Sequence, residues 1–270
     1  MKIMSKTIAI IGAGNLGLSL TKGLVDSGSY QPSQFKLSRR RIEKLNEMKD
    51  IGYQCFDNNK AATNQADIII ISVLPQKINI VLDEIKPILN ENQIIISLVS
   101  GVEIGDIKKI IGTKIPIIRA MPNTAISIRE SMTCLSTEST WEPKLLEVKQ
   151  MFDLVGESTI INEEKMTSAT ALCACGIAFF LRAIRAASQG GNEIDFHSSE
   201  ALRMAAQTAK GAASLLLKNN SHPEDEIDKV TSPKGCTIAG LNEMEHNGFS
   251  SAFIKGIKLS SEKAKNLYND

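Results

Sequence analysis

Three clusters of residues in this chain have types and spacing that could do chemistry. The first is Gly12-Ala13-Gly14-Asn15-Leu16-Gly17. A Gly-x-Gly-x-x-Gly string is weak evidence alone, so its flanks decide. Thr7 to Ile11 reads as a buried parallel strand, and Leu16, Leu20 and Leu24 recur at helical spacing, which puts the glycines on a strand-to-helix turn. There Gly12 permits the tight turn, Gly14 lets backbone approach a pyrophosphate, and Gly17 lets helix and strand pack closely. The unpaired N–H groups at the helix start favour phosphate oxygens. The alternative is a structural turn with no ligand.

The second cluster bears on which nucleotide would bind. An acidic residue about twenty positions after the last glycine would hold the free ribose hydroxyls of NAD. Here the second strand ends in Phe35-Lys36-Leu37-Ser38-Arg39-Arg40-Arg41, with no acid until Glu43. A hydroxyl followed by guanidinium groups suits a 2′-phosphate, so NADP(H) is favoured, with NAD(H) as the alternative. A solvated helix start would carry the same charges. The third cluster is Asp228-Lys229-Val230-Thr231-Ser232-Pro233-Lys234-Gly235-Cys236-Thr237-Ile238-Ala239-Gly240-Leu241. It places Pro, Gly and hydroxyls where a helix should start. Such an end can hold a carboxylate, or it can be an interhelical turn with Ser or Thr as N-cap.

These clusters need elements to position them. Strand-like runs at 66–73, 93–98 and 116–120 alternate with helical segments around 77–89 and 103–111. Strands rich in β-branched residues throughout are covered on both faces, and the alternation predicts a Rossmann-type doubly wound parallel sheet of the α/β class. Loops 73–76 and 97–101 then follow strand ends, where ligands of such sheets bind. Beyond residue 162 the strand signals stop, and Glu163 to Ala187, Ser198 to Lys218 and Phe249 to Leu267 read as helices. The expected division is a nucleotide-binding domain at 1–161 and an all-α domain at 162–270. Segments 169–181 and 205–217 are apolar nearly all round, which calls for cover from a second subunit.

Composition is that of a globular protein: 270 residues, 43% hydrophobic, 23% charged, net charge +1. That balance gives no general attraction to nucleic acid or to a membrane surface. No stretch approaches about 18 uninterrupted apolar residues, and the first apolar run reads as a strand rather than a secretory signal. Five cysteines, an odd number, point to free thiols and a cytoplasmic location. His197, His222 and His246 lack ligand spacing, so no metal site is expected. Cys173 and Cys175 point in different directions on a helix and are expected to pack as small apolar groups.

The chain resembles the pyrroline-5-carboxylate reductases almost end to end. The landmarks are the glycine string, Val73-Leu74-Pro75-Gln76, Arg119-Ala120-Met121-Pro122-Asn123-Thr124-Ala125, Thr170-Ala171-Leu172, Ala206-Gln207-Thr208, and Val230 to Leu241. The resemblance implies a Rossmann domain and an all-α dimerisation domain, in assemblies often built from several dimers. It also implies NAD(P)H-dependent reduction of 1-pyrroline-5-carboxylate to proline. On its terms Gly12, Gly14, Asn15, Leu16 and Gly17 hold the pyrophosphate, and Ser38, Arg39 and Asn59 lie near the adenosine end. Val73, Pro75, Ser97 and Gly101 line the nicotinamide side, and Met121, Pro122 and Asn123 form the site floor. Ser232 and the Cys236 backbone hold the substrate carboxylate, Thr237 faces the ring nitrogen, and Glu163 lies near the substrate.

The departures from the family pattern are local. Where Ser-Gly-Ser-Gly-Pro-Ala-Tyr is usual, this chain has Cys173-Ala174-Cys175-Gly176-Ile177-Ala178-Phe179. Lys234 replaces a glycine, Ala125 a proline, and Gln189 the acid of Asp-Gly-Gly. Two other readings stay compatible with these changes. One is a diverged NADP(H)-binding sensor or scaffold; the other is a reductase of a different cyclic imine or a ketoacid.

Overall fold

Every residue of Ile8–Ile11 and of Ile68–Ile71 is buried, although successive side chains of a strand point to opposite faces. Both faces are therefore covered. Ile8, Ile10, Ile68 and Ile70 enter one core with Leu20, Leu24 and Phe152. Ala9, Ile11, Ile69 and Ile71 enter a second with Val81, Leu82 and Ile107. Burying an isoleucine side chain is worth about 1.5–3 kcal/mol, so these unbroken apolar runs anchor the middle of the sheet.

The computed structural model describes residues 5–268. Its strands are β1 (Ile8–Ile11), β2 (Phe35–Ser38), β3 (Gln54–Phe56), β4 (Ile68–Ile71), β5 (Ile94–Ser97), β6 (Ile117–Met121), β7 (Ser131–Ser136) and β8 (Gly156–Ile160). They form one sheet in the order β3-β2-β1-β4-β5-β6-β7-β8. The helices are α1 (Asn15–Asp26), α2 (Asn46–Ile51), α3 (Asn59–Thr63), α4 (Ile78–Ile85), α5 (Ile104–Ile111), α6 (Glu142–Phe152), α7 (Met166–Ala169), α8 (Gly176–Glu193), α9 (Ser198–Asn219), α10 (Pro223–Lys229), α11 (Cys236–His246) and α12 (Phe249–Asn266).

The sheet is mostly, not wholly, parallel. β7 runs antiparallel to β6, and β8 runs parallel to β7. The expected Rossmann-type sheet stands, and its one antiparallel pairing has a geometric reason. β6 and β7 are joined by a short link holding one 3₁₀ turn, Thr124–Ile128, whereas a parallel pair needs a crossover of a dozen or more residues. Ser38, Ile11, Ile71, Ser97 and Arg119 lie in register across five neighbouring strands. They mark the carboxyl edge of the parallel part.

Packing divides the chain into two units. One holds the described residues up to Cys175 together with those from Ser260 onward, and the other is Gly176–Leu259. The expected boundary at 161/162 marks the change from strands to helices, but the sheet unit keeps 163–175 because Met166 and Ala169 pack with Met121 and Cys134. It also recovers the chain's final turns, where Ala264 is buried and Tyr268 Oη donates to Asn79 Oδ1 at 2.9 Å.

The helical unit is built on α8 and α9. At their contact a side chain on Gly191 would come within 2.9 Å of Ala201 Cβ. Phe253 gathers Phe179, Phe180 and Phe249 at ring-centroid distances of 5.4–6.1 Å. Much of its apolar surface still faces outward, with Phe180 59% and Leu217 76% exposed. The helical run Glu163–Glu193 is long and apolar enough to cross a bilayer by length and mean hydropathy, 1.6 over its best window. Counting uninterrupted apolar residues did not foresee this, because scattered polar residues break the run without lowering its mean.

Candidate functional site

The glycine turn after β1 is held by backbone bonds across the sheet. Gly12 N and Ala13 N donate to Ser38 O at 3.2 and 2.9 Å. Gly12 adopts φ +91°, and a Cβ there would strike the Ser72 carbonyl oxygen and come within 2.6 Å of Val73 Cγ1. Only glycine fits. A Cβ on Gly17 would lie 2.9 Å from Ile10 Cγ2, so its role is close packing of α1 on β1. At Gly14 the nearest atom would be 3.9 Å away. Its open side faces the approach to α1, whose N-cap is Gly14, with no capping side chain and no acid in the first turn. The first N–H groups are therefore free for an anion.

This turn opens a cleft of about 1180 Å³. Of the sequence-predicted residues, Gly12, Gly14, Asn15, Leu16, Ser38, Arg39, Asn59 and Val73 line it. Arg40 and Arg41 join them, as do Lys44 and Lys77. The Ser38 side chain plays a different part from the one its type implied. It is buried, and its hydroxyl donates to Asn59 Oδ1 at 2.7 Å, while Asn59 Nδ2 donates to Glu84 Oε2 at 2.7 Å. That relay uses the Ser38 proton internally, leaving Arg39, Arg40, Arg41, Lys44 and Lys77 as the cleft's cationic donors. Arg39 is steered by a bond from Nη1 to Ala13 O at 3.2 Å. Lys44, Asp57, Lys77 and Glu84 escaped sequence reasoning, because each sits outside the fingerprint on a different element.

The remaining candidates of the sheet unit sit elsewhere along its carboxyl edge. Pro75 starts a 3₁₀ turn beside Leu74, which does line the cleft. Ser97 is buried and its Oγ accepts from Val99 N at 3.3 Å. Gly101 backs onto the chain's final turn, where a Cβ would come within 3.1 Å of Ala264 O. Met121 and Pro122 are buried, and Ser100 Oγ donates to Met121 Sδ at 3.8 Å. Asn123 is engaged on all sides: its N–H donates to Ser131 Oγ, its Oδ1 accepts from Ala125 N, and its Nδ2 donates to Cys173 O at 3.2 Å. Glu163 accepts from Arg119 Nη1 at 3.0 Å and from Ile104 N at 2.7 Å. Arg119 is buried, so this carboxylate neutralises a charge that water does not reach.

The third cluster lies in the helical unit. Thr231 Oγ1 donates to Ile227 O at 2.7 Å, closing α10, and Gly235 N donates to Ser232 O at 2.9 Å. A Cβ on Gly235 would press to 2.5 Å on Ser232 Oγ. Lys234 takes the left-handed conformation, φ +59°, at the position where the resembled pattern has glycine. The N-cap of α11 is Gly235, with no capping side chain and no acid in the first turn. Thr237 therefore does not cap this helix, and its hydroxyl makes no hydrogen bond among the described residues. Ser232 and Cys236 are exposed, and the N–H groups of Cys236 and Thr237 are free. By contrast α5 closes its start with a reciprocal Glu103–Asp106 capping box. The histidines sit at helix ends, with His222 Nδ1 accepting from Glu224 N at 3.3 Å.

Comparison with known proteins meets this geometry from outside. The family model for pyrroline-5-carboxylate reductase dimerisation matches residues 163–267, and one described as NADP oxidoreductase, coenzyme F420-dependent, matches 7–101. Pyrroline-5-carboxylate reductase 2 of Dictyostelium discoideum is 51% identical, covering 96% of this chain and 92% of that protein. The chain belongs to the pyrroline-5-carboxylate reductase family. Pyrroline-5-carboxylate reductase 1 of the same organism is also 51% identical over 99% of this chain, which spans about half (51%) of that protein's length. The fold matches the Plasmodium falciparum pyrroline carboxylate reductase structure with NADP bound, at TM-score 0.88 and 24% identity over 98% of this chain and 99% of that one. The family's dimerisation region starts at the residue where the strands give way to helices.

Proposed function

We propose that this chain reduces 1-pyrroline-5-carboxylate to proline with NADPH, as the last step of proline synthesis. The observation that carries the reading is that a chain of this family has an uncapped helix start in each unit, α1 behind the glycine turn and α11 behind Gly235. The first suits a pyrophosphate and the second a substrate carboxylate. The residues fit a nicotinamide dinucleotide: Gly12 permits the tight turn, Gly14 leaves open space at the helix start for its phosphates, and the Arg39–Arg41 run with Lys44 and Lys77 offers cations to a 2′-phosphate. Preference for NADP(H) over NAD(H) rests on those cations and on Ser38 standing at the strand end where an acid would hold free ribose hydroxyls.

When bound, the cofactor supplies the hydride. This chain's contribution is orientation. In the helical unit, Ser232 and the Cys236 N–H hold the carboxylate and the Thr237 hydroxyl oxygen accepts the N–H of the protonated ring nitrogen; in the sheet unit, the buried segment at Met121 and Pro122 supplies a dry floor with Asn123 on the cofactor side. Val73, Pro75, Ser97 and Gly101 shape the nicotinamide side. A protonated imine is already electrophilic, so no strong base is needed. Glu163 serves through Arg119 and α5.

The reading includes a homodimer through the helical unit, whose exposed Phe180, Leu181, Leu217 and Ile254 need apolar cover. It extends to assemblies of dimers, and it assigns the apolar 163–193 run to that interface rather than to a bilayer. Five free thiols suit a cytoplasmic location, and neither nucleic acid nor membrane is a partner in this reading. Following NADPH and NADH oxidation with 1-pyrroline-5-carboxylate, and identifying proline, tests it; cofactor binding with no imine reduction would overturn it.

A further inference from the structure

The Cys134 and Cys173 sulfurs stand 3.9 Å apart, joining the middle of β7 to the turn after α7, although the residues are 39 positions apart. That turn, Thr170–Cys175, is wound as π-helix rather than α-helix, a form that occurs in short pieces and often at functional sites. The surroundings are apolar: Met121, Met166, Ala169, Ile161 and Ala174. Among the described residues no group of three His, Cys, Asp or Glu side chains could hold a metal ion, so the pair is not a fragment of a metal site. Cys134 is buried and Cys173 only half-buried, which gives the two thiols unequal access to solvent.

We propose that Cys134 and Cys173 form a redox-responsive dithiol, oxidised to a disulfide by hydroperoxide, and that closing this bond slows turnover. The Cys173 thiolate attacks one oxygen of hydrogen peroxide, breaking the O–O bond to give a sulfenic acid and, with one proton, water. The Cys134 sulfur then attacks Cys173 Sγ, the S–S bond forms as the S–O bond breaks, and the Cys134 proton leaves with hydroxide as a second water. Two thiols are oxidised by two electrons and one peroxide is reduced to two waters. The hydrogen bond from Cys134 lowers the Cys173 thiol to about 7 and makes it the attacking group, while the same bond and burial push Cys134 up and keep it as the resolving thiol.

The consequence for turnover rests on the reductase reading above. To bond, the sulfurs must close from 3.9 Å to the about 2.05 Å of a disulfide. The π turn moves with them, and so does Asn123, whose amide holds the Cys173 carbonyl. Asn123 ends the Met121–Asn123 segment that floors the site in that reading.

The test uses the full chain, reduced, desalted and exposed to hydrogen peroxide in modest excess. A peptide linked through Cys134 and Cys173, about 2 Da lighter than its reduced components, is expected, with two fewer cysteines open to alkylation. The rate of NADPH oxidation with 1-pyrroline-5-carboxylate should fall by roughly tenfold or more, since ångström-scale misplacement costs up to about 100-fold, and dithiothreitol should restore it. Cys134→Ala should keep the basal rate and lose both the bridge and the reversible inhibition; Cys173→Ser gives a second bridge-free chain should the first fold poorly. Absence of the linked peptide overturns the proposal, as does a bridge that leaves the rate unchanged. Equal inhibition of Cys134→Ala assigns the effect to another thiol, the exposed Cys236 first, and overturns it too. Mapping the bridge needs no turnover, so a chain that bridges but never reduces the imine counts against the reductase reading instead.

Discussion

Glu163 Oε1 accepts two hydrogen bonds, from the buried Arg119 guanidinium at 3.0 Å and from Ile104 N at 2.7 Å. One carboxylate oxygen thus links β6, the start of α5 and the first turn of the 163–193 helical run. The residue placed near the substrate by resemblance has a structural duty to discharge as well. Because Glu163 is 30% exposed at its side chain, solvent screens part of this interaction.

Glu163→Ala should therefore destabilise the chain by about 1.5–3 kcal/mol, the worth of a hydrogen bond to a charged group, by stranding Arg119. Glu163→Gln keeps an acceptor and should recover part of the loss. Thermal unfolding of both variants checks this, and a midpoint in Glu163→Ala equal to that of the parent would refute the link.

Arg39 is tied to the glycine turn by its bond to Ala13 O. Arg39→Ala should weaken NADPH by about 1.5–3 kcal/mol, roughly 10–150-fold in Kd, and leave NADH nearly unchanged. Titrating both cofactors settles it. Equal losses would show that Arg39 does not meet the 2′-phosphate.

Thr237 lies past the N-cap of α11, and its hydroxyl has no partner among the described residues. Thr237→Val should accordingly preserve NADPH affinity and Tm while kcat/KM falls about 10–150-fold, the loss of one hydrogen bond to a charged group. A lowered Tm with kcat/KM intact would return this residue to a structural role.

The helical unit leaves Phe180, Leu181, Leu217 and Ile254 more than half exposed. Dimerisation should cover them and make Tm rise with protein concentration. Analytical ultracentrifugation at micromolar concentration should find no folded monomer, and finding one rules out the obligate dimer.

Cys173 is held down to about 7 by the Cys134 hydrogen bond, so its thiolate fraction grows as pH rises through that value. Alkylation of Cys173 by iodoacetamide should climb with pH to a midpoint near 7 in the parent. In Cys134→Ala the midpoint should move up toward the ordinary thiol range of about 8.5. Peptide-resolved alkylation rates measure it, and identical profiles would show that the two sulfurs do not share a proton.

What the sequence by itself determined is whatever depends on local period and turn chemistry. Apolar runs covered on both faces placed β1, β4, β5 and β6, the spacing after the glycine string placed β2, and helical spacing placed α1, α4, α5 and the long helices. Glycine at 12 and 17 carries its own reason, since a turn with no space for Cβ admits nothing else, whereas Gly14 has open space beside it at the helix start. β7 was not legible, because Ser131-Met132-Thr133-Cys134-Leu135-Ser136 mixes small polar and apolar residues with every position but Met132 buried. Its direction followed from the length of a loop. Only the tertiary structure decided which side chains meet: Ser38 with Asn59 across 21 positions, Arg119 with Glu163 across 44, and Cys134 with Cys173 across 39. Such pairs are set by strand register and by which helix packs over which sheet edge. Neither leaves a periodic trace in the chain, so the residues that tune this site became visible only once the sheet had brought them together.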